Sequence, residues 1–155
     1  MGMPKVNTKA PLFSLLNQDG EKVDLKKIQD KIIVLYFYPK AQTPGCTTQA
    51  CGIRDFKKEF AKKNTVVFGI SPDLPEKLKK FEEKQGLNFT LLSDPDHTIA
   101  EKYGVWGLKK FMGKEYMGIL RTTFIIGTDG KIAHVLDNVK TKTHHEDVLA
   151  LVTEL

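Results

Sequence analysis

The stretch Ile32-Ile33-Val34-Leu35-Tyr36-Phe37-Tyr38 is the longest uninterrupted apolar run in this chain of 155 residues. It consists mainly of β-branched and aromatic side chains, which favour a strand. Because both alternating sets of side chains are apolar, the pattern predicts a strand buried on both faces, in the middle of an α/β sheet. The run is far shorter than the roughly 20 apolar residues of a membrane-spanning helix, so we expect no membrane partner.

Helical and strand patterns alternate on the carboxyl side of this run. One predicted helix has Pro75 at its first position and Gly86 just past its end, an arrangement typical of helix boundaries. The predicted order is helix Pro44 to Lys63, strand Thr65 to Ile70, helix Pro75 to Gln85, strand Phe89 to Leu92 and helix His97 to Tyr103. Such alternation predicts parallel strands joined by helices.

Two hairpins are predicted near the ends of the chain. The first joins strands Phe13 to Leu16 and Glu21 to Leu25 through the turn-forming residues Asn17-Gln18-Asp19-Gly20. The second joins Thr122 to Ile126 and Ile132 to Leu136 through Gly127-Thr128-Asp129-Gly130. Hairpins add antiparallel strands to a parallel centre, so the sheet is expected to be mixed.

A last helix is predicted to begin at Thr143, where Glu146 completes a capping box, and to run to the C-terminus. The whole pattern predicts the α/β class: a thioredoxin-like fold with a mixed central sheet flanked by helices and an N-terminal β-hairpin addition. No repeat or linker divides the chain. We therefore expect one domain over residues 1–155.

The composition is that of a folded globular chain, with 41% hydrophobic and 28% charged residues. The net charge is +5, but the lysines lie mostly among acidic residues, and no basic stripe or nucleic-acid module is visible. No nucleic-acid partner is therefore expected. Only two of the 24 basic side chains are arginines, Arg54 and Arg121, whose planar fork of donors lysine cannot replace.

The two cysteines, Cys46 and Cys51, are too few for a secreted disulfide framework. No signal peptide is recognisable at the N-terminus, so the expected location is the reducing cytoplasm. In that compartment a close cysteine pair is usually catalytic or metal-binding.

Cys46 occupies the loop-to-helix junction that follows the long apolar strand. Thr43 followed by Pro44 is a helix-start signature, which places Cys46 in the first helical turn. There the unpaired N–H groups and the positive end of the helix dipole favour thiolate over thiol. Cys46 is therefore a candidate nucleophile, and the alternative is a small buried apolar residue.

Cys51 lies five residues further along the same predicted helix. Two Cα atoms at this spacing in a regular helix are ~8.7 Å apart, whereas a disulfide requires less than about 7 Å. The two cysteines can therefore bond only if the first turns of the helix unwind, which Gly52 would ease. The alternative is that Cys51 is a passive core thiol.

The four histidines are not spaced to form a metal site together with the two cysteines. His97, His134, His144 and His145 show no metal-ligand spacing, and His144 and His145 are expected to face solvent. Thr43 stands where the first cysteine of a C-x-x-C exchange motif would be. Neither a metal site nor thioredoxin-type exchange is expected.

The motif Pro39-x-x-x-Thr43-x-x-Cys46 resembles the active-site pattern of peroxiredoxins. The longer run from Phe37 to Phe56 is similar to the bacterioferritin comigratory protein or peroxiredoxin Q subfamily. Two distant segments agree with it, Lys102-Tyr103-Gly104-Val105-Trp106-Gly107 and Arg121-Thr122-Thr123-Phe124-Ile125-Ile126.

The resemblance implies a peroxidase for hydrogen peroxide and organic hydroperoxides, with no metal or bound cofactor. It identifies Cys46 as the peroxidatic and Cys51 as the resolving cysteine, with Thr43, Pro39 and Arg121 completing the active site. It also implies re-reduction by thioredoxin, and a monomer, as in many members of this subfamily.

The chemistry of these residues supports the same roles. Attack on an O–O bond requires donors for both oxygens, which the Cys46 N–H, the Thr43 hydroxyl and Arg121 can supply. Pro39 lacks an N–H and is suited to shield the sulfur from water, although it could simply end the strand. Thr43 could likewise be only a helix cap, and Arg121 a surface base.

One position departs from the family pattern, because Gln49 stands where many relatives carry Glu. An amide can still form hydrogen bonds, but it cannot form an ion pair with an arginine. A redox sensor or thiol-exchange protein would share both cysteines but has no need of Thr43, Pro39 and Arg121. A purely structural role gives no reason for a cysteine at a helix start.

Overall fold

The computed structural model describes residues 2–155. Its strands and helices follow one another along the chain as β1 (Ser14–Asn17), β2 (Lys22–Asp24), β3 (Ile32–Phe37), α1 (Pro44–Asp55), α2 (Lys57–Lys62), β4 (Thr65–Ser71), α3 (Pro75–Gln85), β5 (Thr90–Ser93), α4 (Thr98–Lys102), β6 (Trp106–Phe111), β7 (Lys114–Ile119), β8 (Thr122–Ile126), β9 (Ile132–Leu136) and α5 (His144–Thr153).

A seven-stranded mixed sheet forms the centre of the fold, in the order β2-β1-β5-β4-β3-β8-β9. The inner strands β3, β4 and β5 are parallel, whereas β8, β9 and the N-terminal hairpin β1–β2 add antiparallel strands. This arrangement confirms the predicted mixed sheet and both predicted hairpins. Every residue of β3 is buried, as its unbroken apolar sequence predicts.

The two faces of β3 pack against different helices. Ile33, Leu35 and Phe37 belong to a core cluster that includes residues of α4. Val34 and Tyr36 belong to the opposite cluster, which includes Cys46 and residues of α1, α2, α3 and α5. The cysteine at the start of α1 therefore lies on the face of the sheet that carries four of the five helices given above.

The predicted helix from Pro44 to Lys63 is wrong in one respect, because it is interrupted at Phe56. The backbone there (φ −103°, ψ 11°) separates α1 from α2. The Phe56 ring packs edge-on against the His145 ring of α5, with centroids 4.6 Å apart. A contact between distant segments thus overrides the helical pattern, which sequence periodicity cannot show.

The hairpin formed by β6 and β7 was not predicted. Its two-residue turn, Met112–Gly113, has positive φ at both positions, as in a type I′ turn. Lys109, Lys110 and Glu115 interrupt the apolar alternation of the two strands, so the strand signal is weak.

The last helix begins after Thr143, as predicted, but it ends at Thr153 and the predicted capping box does not form. The Thr143 hydroxyl donates instead to a carboxylate oxygen of Asp147, at 3.0 Å. Among the described residues, no helix is long and apolar enough to cross a membrane.

Candidate active site

The loop between β3 and α1 is held in place by a buried carboxylate of the neighbouring strand. Asp73, just after β4, accepts hydrogen bonds at one oxygen from the Ala41 N–H (2.7 Å) and the Ser71 hydroxyl (2.8 Å). Gln42 then adopts a left-handed conformation (φ 66°) before the helix begins. Asp73 was not among the predicted site residues, although its place at the carboxyl end of a central strand is a usable signal.

Cys46 lies in the first turn of α1, with its side chain almost fully buried. Its Sγ is 3.3 Å from Nη2 of Arg121, which directly precedes β8. The sulfur is therefore shielded from water and yet touches a permanent positive charge. The structure brings together Cys46 and Arg121, two residues that are 75 positions apart in the chain.

Gln49 joins this pair one turn further along α1. Its side-chain oxygen accepts a hydrogen bond of 2.6 Å from Nη1 of Arg121, and Gln49 is fully buried. Many relatives carry Glu at this position, where it could form an ion pair with an arginine. Here the neutral amide of Gln49 holds Arg121 by a hydrogen bond instead. Each arm of the Arg121 guanidinium has its own partner on α1.

Thr43 and Pro39 lie on the loop that leads into this helix. Thr43 is the N-terminal flanking residue of α1, but its hydroxyl donates to the carbonyl oxygen of Lys40 at 2.9 Å and does not cap the helix. Pro39 is half-buried, directly after the Tyr38 that extends β3. The roles of both residues toward a peroxide stay predictions.

Cys51 is half-buried on the same regular helix, and both cysteines are thiols. Its Sγ lies 3.7 Å from Oε1 of Gln85, at the end of α3. Arg54 donates to the backbone carbonyl of Gln85 (2.5 Å) and to Asp55 (2.9 Å), so it supports this contact between helices. With both cysteines in one helix, their Cα atoms are ~8.7 Å apart, and a disulfide requires α1 to unwind.

The prediction that His144 and His145 face solvent is wrong. His144 is buried, with Nδ1 3.2 Å from Nε2 of Gln49 and Nε2 2.7 Å from the Thr123 hydroxyl oxygen. His145 packs over Gly52, where an added Cβ would lie 2.2 Å from its Nδ1. The first turn of α5 therefore lies on α1, a contact that has no local signal in the sequence.

Burial controls the protonation of several groups around the sulfur. It raises the pKa of Tyr36 and Tyr38, so both phenols stay neutral. Burial and then the charge of Arg121 lower the pKa of Lys109, whereas Cys46 raises it. Lys109 of β6 therefore lies close enough to the site to interact with both Arg121 and Cys46, in surroundings that on balance disfavour its charged form. Among residues 2–155, no cluster of three His, Cys, Asp or Glu side chains could hold a metal ion.

Comparison with known proteins gives these groups a family context. Residues 6–135 match the AhpC/TSA family. The chain is 57% identical over 145 residues to peroxiredoxin Bcp of Escherichia coli (strain K12), covering 94% of this chain and 93% of that protein. It is 46% identical over 151 residues to peroxiredoxin Bcp of Bacillus subtilis (strain 168), covering 97% and 96%.

A solved structure with a similar fold is that of Xanthomonas campestris bacterioferritin comigratory protein, described for its alkyl peroxide reduction activity. It superimposes with a TM-score of 0.87 at 32% identity, over 92% of this chain and 90% of that one. This similarity confirms the thioredoxin-like fold. Together the relatives favour a peroxidase over a redox sensor or thiol-exchange protein.

Proposed function

This chain belongs to the AhpC/TSA family and is a peroxiredoxin, a thiol-dependent peroxidase, and we propose that Cys46 is the residue that attacks the peroxide. The observation that carries this proposal is the 3.3 Å contact between Cys46 Sγ and Arg121 Nη2 at the start of α1. A cation and the N–H groups of a helix start both stabilise a thiolate, which is the nucleophilic form of cysteine.

In the first step the Cys46 thiolate attacks one oxygen of a hydroperoxide, and the O–O bond breaks. The sulfur keeps that oxygen as a sulfenic acid, and the other oxygen leaves as an alkoxide or hydroxide that takes up a proton. We propose that Arg121 and the Cys46 backbone N–H donate to these oxygens as charge develops. We assign Thr43 as a further donor to the peroxide and Pro39 as a shield against water.

In the second step Cys51 attacks the sulfenic sulfur, a disulfide forms and water leaves. This step requires the start of α1 to unwind, and we infer that the contacts of Gln49 with Arg121 and of Cys51 with Gln85 break as the two sulfurs approach each other. The wild-type cycle therefore alternates between a helical form that reacts with peroxide and an unwound form that makes the disulfide. We infer that thioredoxin or a similar dithiol then reduces the disulfide by exchange.

The remaining features of the proposal are supported by family resemblance and by the sequence. Hydrogen peroxide and organic hydroperoxides are the proposed substrates, in keeping with the alkyl peroxide reduction described for the Xanthomonas campestris relative. We further propose that residues 1–155 act as one domain and as a monomer, in the cytoplasm.

The test is NADPH consumption with thioredoxin, thioredoxin reductase and peroxide, comparing the wild-type chain with Cys46→Ser and Cys51→Ser. Wild type should turn over, Cys46→Ser should be inactive, and Cys51→Ser should stop after one equivalent of peroxide unless an external thiol resolves the sulfenic acid. Mass spectrometry of wild type after one equivalent should show the loss of two hydrogens. Undiminished turnover by Cys46→Ser would reject the assignment.

A further inference from the structure

A line of hydrogen-bonded side chains connects the reactive sulfur with the start of α5. Arg121 contacts Cys46 with one arm and Gln49 with the other. Gln49 Nε2 lies 3.2 Å from His144 Nδ1, and His144 Nε2 lies 2.7 Å from the Thr123 hydroxyl oxygen. Gln49, His144 and Thr123 are each at most 1% exposed, so water does not compete for these contacts.

The direction of every bond in this line can be assigned by starting from Arg121. A guanidinium can only donate, so the atom of Gln49 that faces it must be the carbonyl oxygen. The amide nitrogen of Gln49 then donates to His144, whose Nδ1 must carry a lone pair. The proton of the neutral imidazole is therefore on Nε2, where it is donated to the Thr123 hydroxyl oxygen.

The surroundings of His144 favour this neutral form. Burial, followed by the charges of His145 and Arg121, lowers the pKa of His144 to about 3. A protonated ring would place an N–H of His144 against an N–H of Gln49. Its neutral ring also packs edge-on against Tyr36, with centroids 5.4 Å apart.

We propose that His144 is a positioning residue for peroxide reduction, because it sets the orientation of the Gln49 amide that in turn holds Arg121 beside Cys46. The inference rests on the proposed role of Cys46. Without the acceptor at His144, the Gln49 amide can rotate and present its NH₂ group to the guanidinium. Donor would then face donor, and Arg121 would lose its fixed place beside the sulfur.

The same contact acts on the second step of the cycle. Gln49 lies between Cys46 and Cys51 on α1, so unwinding that extends from Cys46 to this residue would remove it from both Arg121 and His144. A contact that exists only in the helical form stabilises that form against the unwound one. His144 therefore favours reaction with peroxide and opposes disulfide formation, and its loss should change the two rates in opposite directions.

Three substitutions separate positioning from packing. His144→Ala removes both ring nitrogens. His144→Asn keeps an acceptor close to the position of Nδ1, where Gln49 donates, whereas His144→Gln keeps a donor close to the position of Nε2, which serves only Thr123. His134→Asn, on the edge strand β9, is the matched control outside the network.

The first measurement is the rate of sulfenic acid formation at Cys46, by rapid quench and mass spectrometry in full-length chains that carry Cys51→Ser. His144→Ala and His144→Gln should lower this rate about tenfold. A tenfold change corresponds to a free energy within the range measured for the coupling between contacting residues. His144→Asn should recover most of the loss, and His134→Asn should match the parent chain. In a Gln49→Ala background, His144→Ala should have no further effect, since it acts through Gln49.

The second measurement is the rate of disulfide formation in chains that retain Cys51, which should rise in His144→Ala. The inference would be overturned if His144→Ala formed sulfenic acid at Cys46 as fast as the parent chain. It would also be overturned if the effects of His144→Ala and Gln49→Ala on this rate were fully additive. If His144→Ala does not fold, the comparison is between His144→Asn and His144→Gln. Faster sulfenic acid formation in His144→Asn supports the inference, and faster formation in His144→Gln overturns it. Absence of sulfenic acid at Cys46 in the parent chain would instead reject the proposed function, and this inference with it.

Discussion

Gln49 and Arg121 are joined by a hydrogen bond of 2.6 Å although they are 72 positions apart in the chain. The bond occupies one arm of the guanidinium and leaves the other directed at Cys46, 3.3 Å away. A planar fork suits this double contact, because its two terminal nitrogens present donors in fixed directions, whereas an ammonium group carries all its donors on one freely rotating nitrogen.

The fork geometry predicts that Arg121→Lys loses peroxide reactivity although the charge is kept. Removal of one donor to a developing anion typically costs a factor of about 100 or more, and we expect a loss of about this size here. The measurement is the second-order rate of Cys46 oxidation by hydrogen peroxide. The matched control is the rate at which iodoacetamide alkylates Cys46. This reaction needs no donor for a leaving oxygen, so its rate should fall much less in Arg121→Lys. A lysine variant with the wild-type peroxide rate would contradict the fork argument.

A second prediction concerns Gln49→Glu, which places a carboxylate between Arg121 and His144. The carboxylate can pair with Arg121, but it cannot donate to Nδ1 of His144. A nearby negative charge favours the protonated imidazole, so the pKa of His144 should rise from about 3 toward its ordinary value. Nuclear magnetic resonance titration of the ring protons measures this directly. An unchanged pKa of His144 would show that the two side chains are not in contact.

Much of the scaffold around these residues can be predicted from local patterns. Pro75 and Gly86 mark the ends of α3 because each has the backbone preference that a helix boundary requires, and Gly86 is left-handed in the structure (φ 62°). The apolar run from Ile32 identifies the central strand because its side chains are apolar on both faces. In the site, Cys46 and Arg121 were predicted from their residue types and motifs.

The parts that could not be predicted depend on contacts between distant segments. His144 and His145 look like surface residues at a helix start, and only the packing of α5 on α1 buries them. The break at Phe56 has the same origin, because the ring turns toward His145. The β6–β7 hairpin has too many charged residues to show an alternating pattern.

Burial of neutral His144 predicts a specific loss of stability in acid. Its pKa is about 3 in the folded chain and about 6.5 when unfolded, so the unfolded chain binds one more proton between these values. The free energy of unfolding should therefore fall as the pH decreases from about 6.5 toward 3, by up to about 1.4 kcal/mol per pH unit. Urea denaturation between pH 7.5 and 4 measures the slope.

The comparison variants isolate the contribution of His144 from that of the carboxylates. His144→Asn should remove this part of the slope, whereas His134→Asn should retain it. Equal slopes in the wild-type chain and His144→Asn would mean that His144 does not stay neutral when the protein is folded.

The last prediction concerns Gly52, whose hydrogen faces the ring of His145. A methyl group at this position would lie 2.2 Å from His145 Nδ1 and 2.8 Å from Cγ, so the ring must move. Overpacking of a buried contact costs about 1–3 kcal/mol, whereas alanine gains about 1 kcal/mol over glycine in a helix interior. Gly52→Ala should therefore be neutral to destabilising in the wild-type chain.

The sign should reverse when the ring is absent. In a His145→Ala background, Gly52→Ala meets no ring, so the helix preference alone applies and the free energy of unfolding should rise by about 1 kcal/mol. Urea denaturation of the four chains of this double-mutant cycle measures the coupling between α1 and α5. If Gly52→Ala stabilises both backgrounds equally, His145 does not pack on α1 and glycine is not needed there for space. A sign reversal would instead identify Gly52 as the position that lets α5 approach the helix carrying both cysteines.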